Sequence, residues 1–196
     1  MSPVPDLNIS LDKNLLDAAR EEENRQFIGA WLGWRGQGRL LPRRSDIDLN
    51  DIKHLLGRVI LLELRGDDEI LVRVAGSQLR EHSHFEATGK NMRDLTPSDQ
   101  WPVRRWRIST VAAQPCGARQ VNLNSWTSTG QANIFETVTL PIEADDPAKP
   151  GLVLSNVALQ GATSDPPAKD RPQVALMPSE FRFLDLGAGI PDRIIP

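Results

Sequence analysis

Two apolar runs joined by a tight turn decide the fold of this chain: Arg58-Val-Ile-Leu-Leu-Glu-Leu-Arg65 and Ile70-Leu-Val-Arg-Val-Ala75, with Gly66-Asp-Asp68 between them. Apolar side chains alternate along both runs, which is the period of a β-strand with one buried face. Glycine and aspartate are typical of tight turns, and Gly76 interrupts the second run. The stretch therefore predicts an antiparallel β-hairpin.

Helices are predicted before the hairpin and between its second strand and the next one. The helical segments cover residues 11–34, 48–56, 77–82 and 99–113. Three more strands are predicted over residues 119–126, 132–142 and 152–160. Hairpin connections favour antiparallel pairing. We therefore expect an α+β fold with a five-stranded antiparallel sheet and helices on one face, plus an N-terminal helix and a C-terminal extension.

The chain divides into three parts. Residues 1–38 form an N-terminal helical extension, residues 39–161 form the core domain, and residues 162–196 form a linker with a tail. Asp165-Pro-Pro-Ala-Lys-Asp-Arg-Pro172 has the composition of a linker. Phe181-Arg-Phe-Leu-Asp-Leu186 is too apolar to float freely, so we expect it to dock on the domain or on a partner.

The composition is that of a soluble globular protein, with 39% hydrophobic and 25% charged residues among 196. A net charge of −3 gives no basic field for nucleic acid, and no apolar run is long enough to span a bilayer. The N-terminus lacks the basic flank and apolar region of a signal peptide. One cysteine, Cys116, excludes an internal disulfide framework. We expect a cytoplasmic protein without nucleic-acid partners.

Five short motifs carry a family resemblance. They are Leu40-Leu-Pro-Arg-Arg44, Leu71-Val-Arg-Val-Ala-Gly76, Thr88-Gly-Lys-Asn-Met-Arg-Asp-Leu95, Glu136-Thr-Val-Thr-Leu-Pro141 and Phe183-Leu-Asp-Leu-Gly-Ala-Gly189. In this order they resemble the PAS domain superfamily, and within it the stand-alone PAS family of alphaproteobacteria. The resemblance implies an antiparallel sheet with a pocket between the sheet and the intervening helices. It also implies ligand sensing or protein contact rather than a named reaction.

The resemblance allows three PAS cofactors to be checked against the residues. Haem-binding members carry an axial histidine on the long helix, and residues 99–113 contain none. Flavin photosensors carry a reactive cysteine between the small helices, and residues 77–98 contain none. Photoactive-yellow-type sensors also need tyrosine contacts, and the chain has no tyrosine. We expect no haem or flavin, which leaves an unidentified small metabolite or no ligand.

The pocket implied by the resemblance would be lined by apolar residues on the elements that enclose it. We predict Leu79, Phe85, Met92, Trp106, Val111, Leu123, Phe135 and Val157.

A large apolar face on the N-terminal helix predicts an interface. Its residues are Leu15, Phe27, Ile28, Trp31 and Leu32. Such a face is rarely exposed, so we expect a homodimer through this helix. In the alternative, the helix folds back on its own sheet.

Three arginines, Arg104, Arg105 and Arg107, lie on the predicted long helix. They could meet an acidic partner or an anionic ligand, but a solvated helix face is the simpler interpretation. The apolar face of this helix is predicted to comprise Val103, Trp106, Thr110 and Val111.

The histidine pair and the single cysteine are better explained as structural residues than as a metal site or a nucleophile. His82 and His84 could form a weak metal site with neighbouring glutamates, but an exposed loop is favoured. Cys116 has no histidine placed to activate it, so a buried, inert thiol is favoured.

Three hypotheses for function follow. The favoured one is a stand-alone PAS-type sensory module that binds a small ligand or a partner protein. We expect no output domain, so it would signal through contact with an unknown protein. The second is a small α+β enzyme, which needs acid–base pairs on the strands; these offer only Glu63 and Glu136, without matched partners. The third is a scaffold with a fully packed core and no ligand.

Overall fold

A computed structural model describes residues 7–66, 68–83, 85–124, 132–146, 148–163 and 178–192. Its α-helices are α1 (Leu7–Ala18), α2 (Glu22–Arg35), α3 (Ser77–Ser83) and α4 (Trp101–Ala113). Its strands are β1 (Val59–Arg65), β2 (Glu69–Ala75), β3 (Gly117–Asn124), β4 (Ala132–Ile142), β5 (Gly151–Thr163) and β6 (Glu180–Leu184). No helix within these ranges is both long enough and apolar enough to cross a bilayer.

The strands form one sheet in the order β2-β1-β5-β4-β3-β6, and every pairing between neighbours is antiparallel. The predicted α+β class with an antiparallel sheet is therefore confirmed. The predicted number of strands is wrong, because the tail adds a sixth. Tail segment β6 pairs with β3, placing Phe181 opposite Gln120 and Phe183 opposite Ala118. This five-residue segment is stable as a strand because β3 supplies its hydrogen-bonding partner.

Helices cover both faces of the sheet, and each face has its own apolar core. The α2 face packs under α1 and α2, with Val138, Leu140 and Leu154 from the sheet. The α4 face packs under α4, with Leu62, Ala118 and Val153 from the sheet. The helix predicted over 99–113 is confirmed, although it begins at Trp101 and carries Pro102 in its first turn.

The single helix predicted over 11–34 is two helices, because a buried carboxylate interrupts it. The side chain of Glu136 accepts hydrogen bonds from the backbone N–H of Arg20, at 3.0 Å, and of Glu21, at 2.9 Å. These donors lie just before α2, where the first N–H groups of a helix have no partner inside it. The carboxylate therefore fixes the start of α2 against the sheet.

The helix predicted over 48–56 is wrong. The backbone there makes only i to i+3 hydrogen bonds, such as Asp51 N–H to the carbonyl of Asp48 at 3.2 Å, and it continues into a 3₁₀ turn at Leu56–Arg58. The Asp48 carboxylate also accepts the backbone N–H of Asn50 at 2.9 Å. Such local side-chain bonds favour turns over a regular α-helix.

Candidate functional site

The α4 face carries a polar patch where β3, β4 and β5 lie side by side. Across the β3–β4 ladder, Gln120 is opposite Thr137 and Asn122 is opposite Phe135. Across the β4–β5 ladder, Thr137 is opposite Val157. Directly opposed residues share a face of the sheet, and residues two apart share it as well. These side chains therefore continue the same surface that Ala118 contributes to the α4 core.

Several polar side chains of this patch are shielded from solvent. Asn122 is 5% exposed, and Thr137 and Ser155 are also buried. The hydroxyl of Ser155 forms a hydrogen bond with that of Thr139 at 2.8 Å. The Oδ1 atom of Asn122 has no hydrogen-bond partner among the described residues. A buried acceptor without a donor costs free energy, so this atom calls for a functional explanation.

Helix α4 turns two of its arginines toward the sheet. Trp101, Arg107 and Val111 are its buried residues, and Arg104 lies one turn before Arg107 on the same stripe. Arg107 is only 9% exposed, and Arg104 is partly buried. The expectation of a solvated arginine face is wrong for Arg107. Large apolar residues at both ends of the helix, Trp101 and Val111, set its rotation, and Arg107 lies between them.

Arg105, the third arginine of α4, is exposed and has an acidic partner. Arg105 is paired with Asp68 at 3.1 Å, and both side chains are exposed. That is an ordinary surface ion pair, which contributes little to stability.

Arg107 has no acidic partner among the described residues. Its guanidinium carbon lies 4.1 Å from the centroid of the Phe181 ring, and its buried Nε atom has no hydrogen-bond acceptor. Desolvation lowers the pKa of Arg107 below its ordinary value. An aromatic ring attracts a cation, but it does not replace a carboxylate as a hydrogen-bonding partner.

Arg104 is in a similar position. Its Nη1 atom donates to Thr96 Oγ1 at 3.1 Å, and it forms no ion pair with a described residue. Desolvation lowers the pKa of Arg104 to about 10, so the side chain still carries its charge at neutral pH. The helix therefore presents two desolvated cations and no counter-ion from the described part of the chain.

The predicted pocket residues are distributed unevenly. Met92 and Val111 are buried in the α4 core, and Trp106 packs edge-on against Phe183 with 5.4 Å between ring centroids. Phe135 is buried and Val157 is partly buried, both on the α4 face of the sheet. The structure brings these five to one side of the sheet. Their contact with a ligand stays a prediction.

Two of the other three predicted pocket residues, Leu79 and Phe85, are not part of the α4 core. Leu79 is partly buried on α3. Phe85 is 39% exposed and lies beside Lys90, whose ammonium is 5.5 Å from the ring centroid. Leu123 belongs to β3, but its side chain is outside the described part of the structure. The side chains of His82 and His84 are also outside it, and the described residues contain no group of three or more histidine, cysteine, aspartate or glutamate side chains that could hold a metal ion.

The two strand carboxylates considered as catalytic groups are both held in structural contacts. Glu136 accepts hydrogen bonds from the helix start described above, from Asn24 Nδ2 at 2.9 Å and from Arg119. Glu63 is paired with Arg65 and, at 3.3 Å, with Arg73. Neither glutamate faces the polar patch, so neither supplies an acid or base there.

The residues predicted to form a dimer interface are covered by the chain's own sheet. Leu15, Phe27, Ile28 and Trp31 are buried in the core of the α2 face, and Leu32 is partly buried against it. Trp31 Nε1 also donates to the carbonyl of Pro141 at 3.0 Å. The helix therefore folds back on its own sheet, and the expected role of these five side chains in an interface is corrected.

Sequence reasoning missed Asn122, Thr137, Ser155 and the inward direction of Arg107. One signal was available, because Ala118, Gln120 and Asn122 are the alternate residues of β3 and place polar groups on one face. The predicted pocket residues are all apolar, so they do not include these polar positions.

Comparisons with known proteins give one family match. A family model described as PAS domain matches residues 19–153, which is more than half of the chain. Among solved structures, the chain is similar to a fungal LOV domain photoreceptor, with 18% sequence identity and a TM-score of 0.38. That alignment covers 59% of this chain and 94% of the photoreceptor chain. A search of the curated proteins finds no match.

Proposed function

The chain belongs to the PAS domain family, and on that premise we propose that it is a sensory module that binds a small molecule between α4 and the sheet. The bound state would be reported to another protein through contact. One observation carries the proposal: buried polar groups with unused bonding capacity, Asn122 and Arg107, lie on the α4 face. A ligand is the simplest source of the missing partners.

A scaffold without a ligand is less consistent with this arrangement. Arg35, Arg119 and Asn156 also have one buried atom each without a partner, but their side chains form hydrogen bonds through other atoms. The side chains of Arg107 and Asn122 form no hydrogen bond with a described residue, which is the difference that favours a ligand on the α4 face.

An enzyme is also disfavoured, because the strand carboxylates Glu63 and Glu136 are engaged in ion pairs away from the patch. The polar patch itself contains amide, hydroxyl and guanidinium groups, which bind and orient a ligand more readily than they transfer protons at neutral pH.

Partner contact is proposed to use exposed apolar side chains, since the N-terminal helices are occupied by their own sheet. The exposed large apolar residues of the described part include Leu40, Leu49, Leu56 and Leu159. The partner, whether a second copy of this chain in the cytoplasm or another signalling protein, would cover such residues.

The test is a ligand screen on the full chain with a blocking variant. Val157 lies on the α4 face opposite Thr137, so Val157→Trp would place a large ring beside the polar patch. The matched control is Val74→Trp, at an exposed position of β2. Thermal unfolding is followed with a panel of several hundred small metabolites.

We expect at least one chemical class to raise the Tm of the wild type and of Val74→Trp, but not of Val157→Trp. Circular dichroism should show that both variants are folded. If no compound changes the Tm, or if Val157→Trp responds like the wild type, ligand binding on this face is refuted.

A further inference from the structure

Arg104 and Arg107, the two arginines of α4 that are withdrawn from solvent, indicate the charge of the proposed ligand. Arg107 is buried with an unbonded Nε atom, and Arg104 is partly buried with one hydrogen bond to Thr96. Residues three apart on a helix are neighbours, with about 5–6 Å between their Cβ atoms. Buried cations are normally paired, and these have no ion pair with a described residue. An anionic ligand would provide the counter-ion for both arginines.

The surroundings favour an organic carboxylate over a bare inorganic anion. A guanidinium presents a planar fork of N–H groups that matches the two oxygens of a carboxylate. Phe181 lies under Arg107, and its ring packs edge-on against Phe183 at 4.9 Å between centroids. Trp106 also packs edge-on against Phe183, at 5.4 Å between centroids. An aromatic wall of this kind suits the carbon skeleton of an organic acid.

The side-chain amide of Asn122 indicates that the ligand also carries a hydrogen-bond donor. Gln120 is opposite Phe181 across the β3–β6 ladder. Asn122 lies on the same face of β3, two residues beyond Gln120, so the Cα atoms of these two residues are about 7 Å apart. The buried Oδ1 atom of Asn122 has no donor. A ligand hydroxyl or ammonium group would supply one, and the hydroxyls of Thr137 and Ser155 lie on the same face.

We propose that the ligand is a small organic carboxylate that also carries a hydroxyl or amino group, with its carboxylate on Arg107 and Arg104 and its donor group on Asn122. This assignment rests on the proposed function, since it names the class of molecule bound at the same face. It makes Arg107 the main determinant of binding and Asn122 the determinant of selectivity between hydroxy acids and their deoxy analogues.

Three matched sets of probes test the assignment by isothermal titration calorimetry on the full chain. The first set contains lactate, malate and 3-phenyllactate, each of which carries a carboxylate and a hydroxyl. The second contains propionate, succinate and 3-phenylpropionate, which lack the donor. The third contains lactamide, malamide and 3-phenyllactamide, which lack the charge. We expect a member of the first set to bind, its donor-free analogue to bind about tenfold more weakly, and its amide not to bind measurably.

Variants separate binding from folding. Arg107→Met removes the charge but keeps length and contact with Phe181, and we expect it to weaken binding at least about thirtyfold. Arg105→Met is the control, because Arg105 is on the same helix but pairs with Asp68 at the surface. Asn122→Ala should make the hydroxy acid and its deoxy analogue bind equally. That loss of discrimination would not arise from a general weakening of the fold.

The outcomes distinguish failure of this assignment from failure of the proposed function. Indole and benzyl alcohol serve as neutral probes, and methyl phosphate as a different anion. If only the neutral probes bind, and Val157→Trp blocks them, the sensory pocket stands and the carboxylate assignment is overturned. Binding of methyl phosphate alone overturns it as well. If the carboxylates bind equally well to Arg107→Met, the site lies elsewhere. If nothing binds in this panel or in the metabolite screen, both proposals fail.

Discussion

Glu136 on β4 and Arg119 on β3 form a buried ion pair under α2, with side chains that are 0% and 3% exposed. Glu136 also accepts the backbone N–H groups of Arg20 and Glu21, which lie just before α2, so this carboxylate links two strands to the start of a helix. Breaking such a pair from one side leaves an uncompensated buried charge. The stability of the α2 face therefore depends on this glutamate.

The first prediction is that Glu136→Gln lowers the free energy of unfolding by about 3 kcal/mol, because Arg119 loses its buried counter-ion and keeps only the half-exposed Glu180. Urea denaturation with a two-state fit measures the change. Glu180→Gln is the control, since Glu180 also pairs with Arg119, at 3.0 Å, but is 45% exposed. Its effect should stay within about 1 kcal/mol. Equal effects of the two substitutions would contradict the assigned role of Glu136.

The second prediction concerns acid stability. Burial alone would raise the pKa of Glu136, but hydrogen bonds from Asn24, from the backbone of Glu21 and Arg20 and from Arg119 outweigh it and lower the pKa. A carboxyl whose pKa is lower in the folded state stabilises the fold above its unfolded pKa of about 4.3, and this contribution is lost as the pH falls through the folded-state value.

We therefore expect the free energy of unfolding to fall as the pH drops below about 4.5, and to fall less steeply in Glu136→Gln. Urea denaturation at several pH values between 3 and 6 measures both slopes. Other acidic groups with lowered pKa values, such as Glu180 and Asp46, contribute to the slope in both proteins. The difference between the proteins isolates Glu136. Parallel curves would show that its ionisation is not linked to folding.

The hairpin and β4 could be predicted almost to the residue, because their apolar alternation is local and continuous. Strand β6 could not, since Glu180–Leu184 becomes a strand only beside the edge of β3, more than fifty residues earlier in the chain. The face of α4 that is buried could not be predicted either. Hydrophobic periodicity assigns every arginine to solvent, so it selected Val103 and Trp106, whereas the structure buries Trp101 and Arg107.

The third prediction is that removal of the N-terminal helices exposes an apolar sheet. Val138, Leu140 and Leu154 pack under Phe27 and Trp31 in the same chain. A variant that begins at Arg39 should therefore aggregate or form large oligomers rather than a stable monomer. Size-exclusion chromatography with light scattering checks this against the full chain. A well-folded, monomeric truncated protein would show that α1 and α2 are dispensable for covering this face.

The fourth prediction is that Cys116 is chemically inert in the folded protein. Its side chain is buried, and desolvation raises the pKa of the thiol to about 11. Because the thiolate is the reactive species, little of it forms at pH 8. Ellman's reagent should react at least about a hundredfold more slowly with the native chain than with the chain in guanidinium chloride. Rapid reaction in the native state would indicate that the β3 start opens readily.

The last prediction links stability to the proposed site. A buried cation without a counter-ion costs free energy, and a residue retained at such a cost is expected to serve binding rather than folding. In buffer free of carboxylates, Arg107→Met should therefore leave the free energy of unfolding unchanged or raise it by about 1 kcal/mol or more. Methionine keeps a favourable contact with the Phe181 ring, which offsets the lost cation–π attraction. Urea denaturation of the wild type, Arg107→Met and the surface control Arg105→Met measures the effect. A loss of more than about 2 kcal/mol in Arg107→Met alone would mean that the arginine stabilises the fold itself and that its burial does not indicate an anionic ligand.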